Sequence, residues 1–142
     1  MASQFYNAGK KNLINGLIDL DTDTIRVALL TSAYTPDIDA HDFFNDVSAN
    51  ESSGTGYTAG GAALANKTVT QDNTNDRAVF DADDVSWASS TIANARYAAI
   101  YEDTGVAATS PLICYVDLLI TRSSSADTFK IEWNASGIFY LA

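Results

Sequence analysis

The sequence predicts a mainly β protein: a single-domain β-sandwich or jelly-roll-like fold over residues 1–142, with one N-terminal helix. Three observations lead to this prediction. Charged residues make up only 18% of the chain, below the usual quarter, and Ser, Thr, Asn and Asp take their place. Short β-type runs recur along the chain and are separated by dense turn signals. A chain of 142 residues is long enough to bury a core without a metal or a disulfide.

The helical pattern covers residues 5–20. Apolar residues recur there at spacings of three and four, which predicts one buried helix face made by Leu13, Ile14, Leu17 and Ile18. Asn7 is the expected N-cap, and residues 19–24 form a turn before the next element.

The β-type runs begin after that turn. The first strand is predicted at 25–30, with Ile25, Val27 and Leu29 on one side. Residues 41–47 are expected to make one helical turn, and residues 48–61 a loop. That turn should pack three side chains inward: Phe43, Phe44 and Val47. Further strands are predicted at 64–70, 77–81, 97–101, 112–120, 129–133 and 137–141.

Charge restricts the classes of partner. The net charge is −10 and the pI is about 4.1, whereas nucleic-acid binding needs clustered Lys and Arg. The same charge argues against an anionic membrane surface, and no apolar run reaches membrane-spanning length. We therefore expect no nucleic-acid partner and no membrane partner, and a surface suited to a basic patch on another protein.

The residues that usually perform chemistry are scarce. Cys114 is the only cysteine, which excludes an intrachain disulfide, and it lies in an apolar run typical of a buried strand. His41 is the only histidine, and no nucleophile-elbow motif accompanies it. Asp19, Asp21 and Asp23 have the opening spacing of a calcium loop, but the later ligand positions hold the wrong residues. The sequence predicts a protein that is not an enzyme and has no catalytic residue, cofactor or metal.

Two loops are the candidate recognition elements. Residues 48–61 form a long, glycine-rich loop, and residues 72–76 form a dense turn between two predicted strands. Long loops in compact domains usually carry function. We therefore predict a partner interface that includes Tyr57 and Thr58 of the first loop, and Asn73 and Asn75 of the second.

Several blocks of sequence together resemble a family of small virion structural proteins of tailed bacteriophages. The longest is GLIDLDTDTIRVALL at 16–30, and it is followed by GTGYTAGG at 54–61 and AVFDADDVSW at 78–87. Shorter blocks extend the resemblance nearly end to end: YNAGK at 6–10, FFNDVS at 43–48, NKTVT at 66–70, AAIY at 98–101, IEWN at 131–134 and GI at 137–138.

The resemblance implies a non-enzymatic component of the virion. We expect a capsid decoration (cement) protein, a homo-oligomer that binds the major capsid protein on the capsid exterior and reinforces contacts between its subunits. The principal alternative is a tail or head-fibre component that binds a tail partner or a host surface. Two other classes remain open from the residues alone: a carbohydrate-binding module with a row of exposed aromatic residues, and a hydrolase with converging carboxylates.

Overall fold

The structure, a computed structural model, describes residues 2–142 and consists mainly of antiparallel β-strands. One α-helix, α1 (Asn7–Ile14), follows the first strand, and short 3₁₀ turns occur at Phe44–Asp46, Ser48–Asn50 and Ala107–Thr109. The strands, in chain order, are β1 (Ala2–Phe5), β2 (Ile25–Thr31), β3 (Gly54–Thr55), β4 (Ala62–Ala63), β5 (Thr68–Asp72), β6 (Arg77–Asp81), β7 (Val85–Ile92), β8 (Ala95–Glu102), β9 (Leu112–Arg122), β10 (Asp127–Ile131) and β11 (Phe139–Leu141).

The strands form one large sheet and two small ones. The five-stranded sheet has the order β1-β9-β8-β2-β4, and the three-stranded sheets have the orders β10-β7-β3 and β11-β6-β5. Every neighbouring pair is antiparallel. The predicted fold class is therefore confirmed: the protein is mainly β and sandwich-like, with one helix near the N-terminus.

The main core lies between the large sheet and the small sheets. β2 contributes Ile25, Val27 and Leu29 to this core, as their period-two spacing predicts. The small sheets contribute large side chains to the same core, including Phe80, Trp87, Phe129 and Ile131. Cys114 is fully buried in the same core, and burial raises the pKa of its thiol. It behaves as the small apolar residue that the sequence predicts.

The opposite face of the large sheet is also buried. Ala28 and Leu30 point to that side of β2, where the segment between β2 and β3 covers them with Tyr34, Phe44 and Val47. The central strands are therefore apolar on both faces, and residues 32–51 act as a cover over the second face. Burial of Phe44 and Val47 confirms the inward packing predicted for them, but Phe43 is 39% exposed and was predicted wrongly.

The helix prediction over residues 5–20 was wrong in extent and in its buried face. α1 ends at Ile14 because Asn15 and Gly16 terminate it, with Gly16 at a φ of +72°. Ile14 is 86% exposed and Leu17 is 61% exposed, whereas Leu13 and Ile18 pack against the core. Within the helix, Gly9 and Asn12 are the buried residues, because the helix backbone rests against Ile113.

Other boundaries also differ from the predictions. The N-cap is Tyr6 and not Asn7, and residues 2–5 form the edge strand β1, which the sequence reading missed. The run predicted at 64–70 pairs only from Thr68 onward, as β5. The strands predicted at 129–133 and 137–141 are β10 and β11, both shifted in extent. β7 was not predicted at all, whereas β6 has the predicted bounds.

Candidate interaction surfaces

The loop at 48–61 is tied both to the large sheet and to one of the small sheets. It begins with the 3₁₀ turn Ser48–Asn50, after which Glu51 forms an isolated bridge with Leu30 of β2. Further along, β3 pairs with the end of β7. The loop therefore leaves one strand of the large sheet, contacts the small sheet and returns to β4 beside β2.

The carboxylate of Glu51 fastens the middle of this loop. It accepts hydrogen bonds from the Tyr57 hydroxyl at 2.7 Å and from the Gly60 backbone N–H at 2.6 Å. The Tyr57 hydroxyl also accepts the Leu29 N–H of β2 at 2.9 Å. Burial raises the pKa of Glu51, while the hydrogen bonds from Tyr57 and Gly60 act in the opposite direction. Burial, with the bond to Glu51, also raises the pKa of Tyr57.

Two further side chains hold the turn at the end of the loop. Arg26 donates to the carbonyl oxygens of Gly60 and Gly61, at 3.2 and 2.8 Å, and the Tyr101 hydroxyl donates to Gly60 at 2.7 Å. Gly61 has a φ of +74°, and a Cβ there would lie 1.8 Å from the Val27 carbonyl oxygen. Only glycine fits this close approach to β2 without displacing the backbone.

A cleft of about 430 Å³ lies beside the held loop. Its charged residues are Arg26, Glu51 and Asp103, and the Arg26 Nε lies 3.7 Å from an Asp103 carboxylate oxygen. Phe44 and Tyr101 stack in its wall with ring centroids 4.2 Å apart, and burial raises the pKa of Tyr101 to about 12. An aromatic wall with both signs of charge suits a protruding polar or aromatic side chain from a protein partner.

The structure places the predicted interface residues in two separate regions. In the 48–61 loop, Thr58 is exposed, but Tyr57 is half-buried and packs on Trp87 with ring centroids 5.6 Å apart. In the β5–β6 turn, Asn73 and Asn75 are both exposed. Within residues 2–142, no hydrogen bond joins these two regions. Tyr57 thus supports the loop from within, and Thr58 is the member of the pair that faces solvent.

The β5–β6 turn is organised around Asp72. Its carboxylate accepts the Asn75 side-chain amide at 2.8 Å and the Arg77 guanidinium at 2.9 Å, as well as backbone N–H groups of the turn. The bond from Asn75, followed by the Arg77 ion pair, lowers the pKa of Asp72. Asn73 bonds Gln71 within the same turn. The turn is a preset surface feature whose amides already have partners inside the protein.

A third surface, which the sequence reading missed, lies at the end of β9. Tyr97 of β8 pairs with Asp117, and Ala95 pairs with Arg122, so residues 118–121 stand opposite Arg96 alone. In this segment, here called the β9 bulge, Leu119 and Ile120 are 60% and 65% exposed. Leu119 has a φ of +69°, which branched residues rarely adopt.

A shallow apolar groove of about 370 Å³ forms a fourth surface, at the end of α1. Its apolar walls are Leu13, Ile18, Leu20, Val69 and Leu141, and its polar rim carries Asp19 and Asp21. Val69 and Leu141 are half-exposed, so the groove is open to solvent. The C-cap signal Asn15-Gly16 could have revealed this surface in the sequence, because ending the helix there leaves the apolar stripe uncovered.

The residues considered for metal or catalytic chemistry have structural surroundings. The Tyr34 hydroxyl lies 2.9 Å from His41 Nδ1 and 2.8 Å from the Tyr6 hydroxyl, which places His41 at the rim of the second core cluster. Asp19 and Asp21 lie in an exposed turn, in which the Asp19 backbone N–H donates to the Asp23 carboxylate at 2.7 Å. Within residues 2–142, no group of three or more His, Cys, Asp and Glu side chains is placed to hold a metal ion. No helix among those residues has the length and apolar character to cross a membrane.

Comparisons with protein-family models, with curated proteins and with solved structures find no match to this chain.

Proposed function

We propose that this protein is a non-enzymatic structural component of a tailed-phage virion, a decoration (cement) protein that binds the major capsid protein on the capsid exterior. The sequence blocks that resemble small virion proteins support this proposal, and so does the mainly β, sandwich-like fold. The proposed role requires no catalytic residue, metal or cofactor. It requires a surface that recognises a repeating protein lattice.

The single observation that carries the proposal is the Glu51-centred support of the 48–61 loop. Glu51 receives the Tyr57 hydroxyl and the Gly60 N–H, while Arg26 and Tyr101 hold the Gly60 carbonyl oxygen from the other side. A loop that is fixed before binding loses little conformational entropy when it meets a partner. The adjoining cleft then offers a preset recess for one protruding side chain of a capsid subunit.

The charge of the chain suits this role. A net charge of −10 favours approach to basic loops on a capsid surface and keeps free copies apart in solution. Each copy needs only a modest interface, because a multimer on a lattice engages several sites and sums their contributions. The stabilisation of the particle would then come from bridging neighbouring capsid subunits.

The test uses phage heads that lack this protein and purified chain added back to them. Ala59 is exposed and lines the cleft, so Ala59→Arg fills the recess without removing a hydrogen bond of the loop. Ala88 is exposed on β7, and Ala88→Arg is the control with the same change in size and charge. We expect wild-type protein and the Ala88 variant to cosediment with the heads, and the Ala59 variant to lose at least tenfold in affinity.

Two outcomes are decisive: one contradicts the capsid role, and the other contradicts the assignment of that role to the cleft. If the wild-type chain does not bind such heads but binds isolated tails or host cells, the tail or head-fibre function replaces it. If both arginine variants bind as wild type does, the cleft is not the capsid-binding surface. Melting temperatures of both variants, measured alongside, exclude a loss of binding through unfolding.

A further inference from the structure

The β9 bulge exposes two aliphatic side chains that a regular strand would not expose together. Cys114, Val116 and Leu118 alternate into the main core, and continued alternation would bury Ile120 with them. The left-handed backbone at Leu119 breaks the alternation, so that Leu119 and Ile120 both face solvent. Such a conformation is unfavourable for a residue with a Cβ. Strained backbone that presents apolar side chains to water is typical of a binding feature.

An ion pair fixes the bulge in place. The Asp117 carboxylate accepts two hydrogen bonds from the Arg96 guanidinium, at 2.8 and 3.1 Å. The same carboxylate accepts the Leu119 N–H at 2.7 Å. The bond from Arg96, supported by the Leu119 N–H, lowers the pKa of Asp117. The bulge therefore has a defined shape before any partner arrives.

The apolar groove lies at the other end of the same strand. Gly9 of α1 rests against the backbone of Leu112 and Ile113 at the start of β9, and Leu13 at the end of α1 lines the groove. Leu119 comes seven residues later, a rise of roughly 20 Å at the spacing of an extended strand. The bulge and the groove of one molecule are therefore too far apart to meet, but those of two copies can.

The two surfaces also carry opposite charges that form no ion pair within 4.0 Å among residues 2–142. Within residues 2–142, Arg122 next to the bulge has no carboxylate within 4.0 Å, and its guanidinium lies over the Phe129 ring. Asp19 and Asp21 on the groove rim have no Lys or Arg nitrogen within that distance. The neighbouring Asp19 raises the pKa of Asp21. A cation placed beside this carboxylate pair would relieve its repulsion.

We propose that the β9 bulge of one copy docks in the apolar groove of a second copy, with Arg122 facing Asp19 and Asp21. This inference rests on, and deepens, the multimeric part of the proposed function. The contact joins different surfaces of the two molecules, so copies associate head to tail and form a closed ring or an open chain. Two aliphatic side chains in a shallow groove give a weak contact, which a capsid lattice would reinforce by holding neighbours close.

The test measures the mass of the purified protein by sedimentation equilibrium over a concentration series. The bulge variant Leu119→Asn/Ile120→Ser removes both aliphatic side chains, and asparagine tolerates the left-handed backbone. The groove variant Val69→Lys places a cation in the groove, where it repels Arg122. Val106→Ser is the control, because Val106 is 57% exposed and lies in the loop after β8. We expect wild type and the control to self-associate and both surface variants to be monomeric.

Mixing the two monomeric variants gives the sharper result. Each variant keeps one intact surface, so an equimolar mixture should form a heterodimer and nothing larger. A second arm reverses the charges: Arg122→Asp should weaken self-association at least tenfold, and Arg122→Asp combined with Asp19→Arg and Asp21→Arg should restore it.

Three outcomes overturn the inference: a wild-type protein that stays monomeric up to the millimolar range, surface variants that associate as wild type does, or a mixture that stays monomeric. These outcomes are distinct from failure of the proposed function. A protein that self-associates in this way but does not bind phage heads retains the inference and contradicts the capsid role. A protein that stays monomeric but still binds heads contradicts the inference and retains the capsid role.

Discussion

The hydroxyl of Tyr57 donates a hydrogen bond to the Glu51 carboxylate at 2.7 Å and so joins the two halves of the 48–61 loop. The same hydroxyl accepts the Leu29 N–H, which connects the loop to the central strand β2. Because Glu51 also receives the Gly60 N–H, one carboxylate sets the shape of the loop. The exposed tip, which includes Thr58, is presented on this support.

Glu51 can be tested by two substitutions. Glu51→Ala leaves the Gly60 N–H and the Tyr57 hydroxyl without an acceptor, and should lower the free energy of unfolding by about 1–3 kcal/mol. Glu51→Gln keeps an amide oxygen as acceptor and should retain most of the stability. Chemical denaturation of the three proteins at one pH measures the difference, and equal losses in both variants would contradict the role of the acceptor.

The pH dependence of stability follows from the pKa of Glu51. Burial raises this pKa in the folded protein above its ordinary value of 4.5. The folded state therefore binds the proton of Glu51 more tightly than the unfolded state does. The stabilisation that this protonation contributes is fully present below pH 4.5 and is lost as the pH rises through the pKa of the folded protein. Relative to Glu51→Gln, wild type should lose stability as pH rises from 4 towards 7. If the denaturation midpoints of wild type and Glu51→Gln change in parallel over this range, the raised pKa of Glu51 is contradicted.

Gly61 should be irreplaceable, whereas Gly16 should tolerate alanine. Both have left-handed backbone, with φ values of +74° and +72°. A Cβ at Gly61 would meet the Val27 carbonyl oxygen at 1.8 Å, but one at Gly16 would meet no atom within 4 Å. Gly61→Ala should therefore cost about 3 kcal/mol or more and Gly16→Ala about 1–2 kcal/mol, measured by thermal unfolding. Similar losses at the two sites would show that the close approach to β2 does not matter.

Leu17 and Ile18 are adjacent in sequence but differ sharply in exposure. Leu17 is 61% exposed and Ile18 is 5% exposed. Leu17→Asp should change stability by only about 0.5 kcal/mol, and Ile18→Asp should cost about 3 kcal/mol or more because it buries a charge. The comparison of melting temperatures checks the end of α1: a large loss at Leu17 would restore the longer helix that the apolar spacing predicts.

Local sequence patterns predicted the strands in which the spacing of apolar residues and the flanking turn signals agree with the strand pairing in the sheets. The alternation of Ile25, Val27 and Leu29 identified β2, because a strand buried in a sandwich core needs apolar residues at that spacing. β6 was found with its bounds because turn residues precede it and an aspartate-rich segment follows it. These elements are specified by residues within or next to them.

The elements that were missed depend on distant residues. β1 is short and partly polar, and it exists because it pairs with β9 more than a hundred residues later. In β7, the left-handed residue Ser89 shifts the alternation, so that Val85 and Trp87 are followed in the core by Ser90 and Ile92. No period-two count detects a strand whose register changes in the middle.

The candidate surfaces were predicted only in part. The glycine pattern located the 48–61 loop, but nothing local showed that Tyr57 would bond Glu51 and Leu29 instead of standing free. The exposure of Leu119 and Ile120 could not be predicted from the sequence, because aliphatic residues in a strand are expected to be buried. Only the pairing of β8 with β9, which skips residues 118–121, places them outside.

Particles without this protein should assemble and then prove fragile. If the chain bridges capsid subunits, heads produced without it should lose DNA at lower temperature or lower salt than wild-type heads, because the bridging contacts are absent. A DNA-release assay along a temperature gradient measures this loss. Adding back purified wild-type protein should restore resistance, and adding Ala59→Arg protein should not.

The most direct test of the capsid role is to image virions labelled with a gold-conjugated antibody raised against this chain. We predict regularly spaced label over the outer surface of the head, which disappears from particles that lack the protein. Label confined to the tail or to fibres would contradict the capsid role and assign the protein to the adsorption apparatus instead.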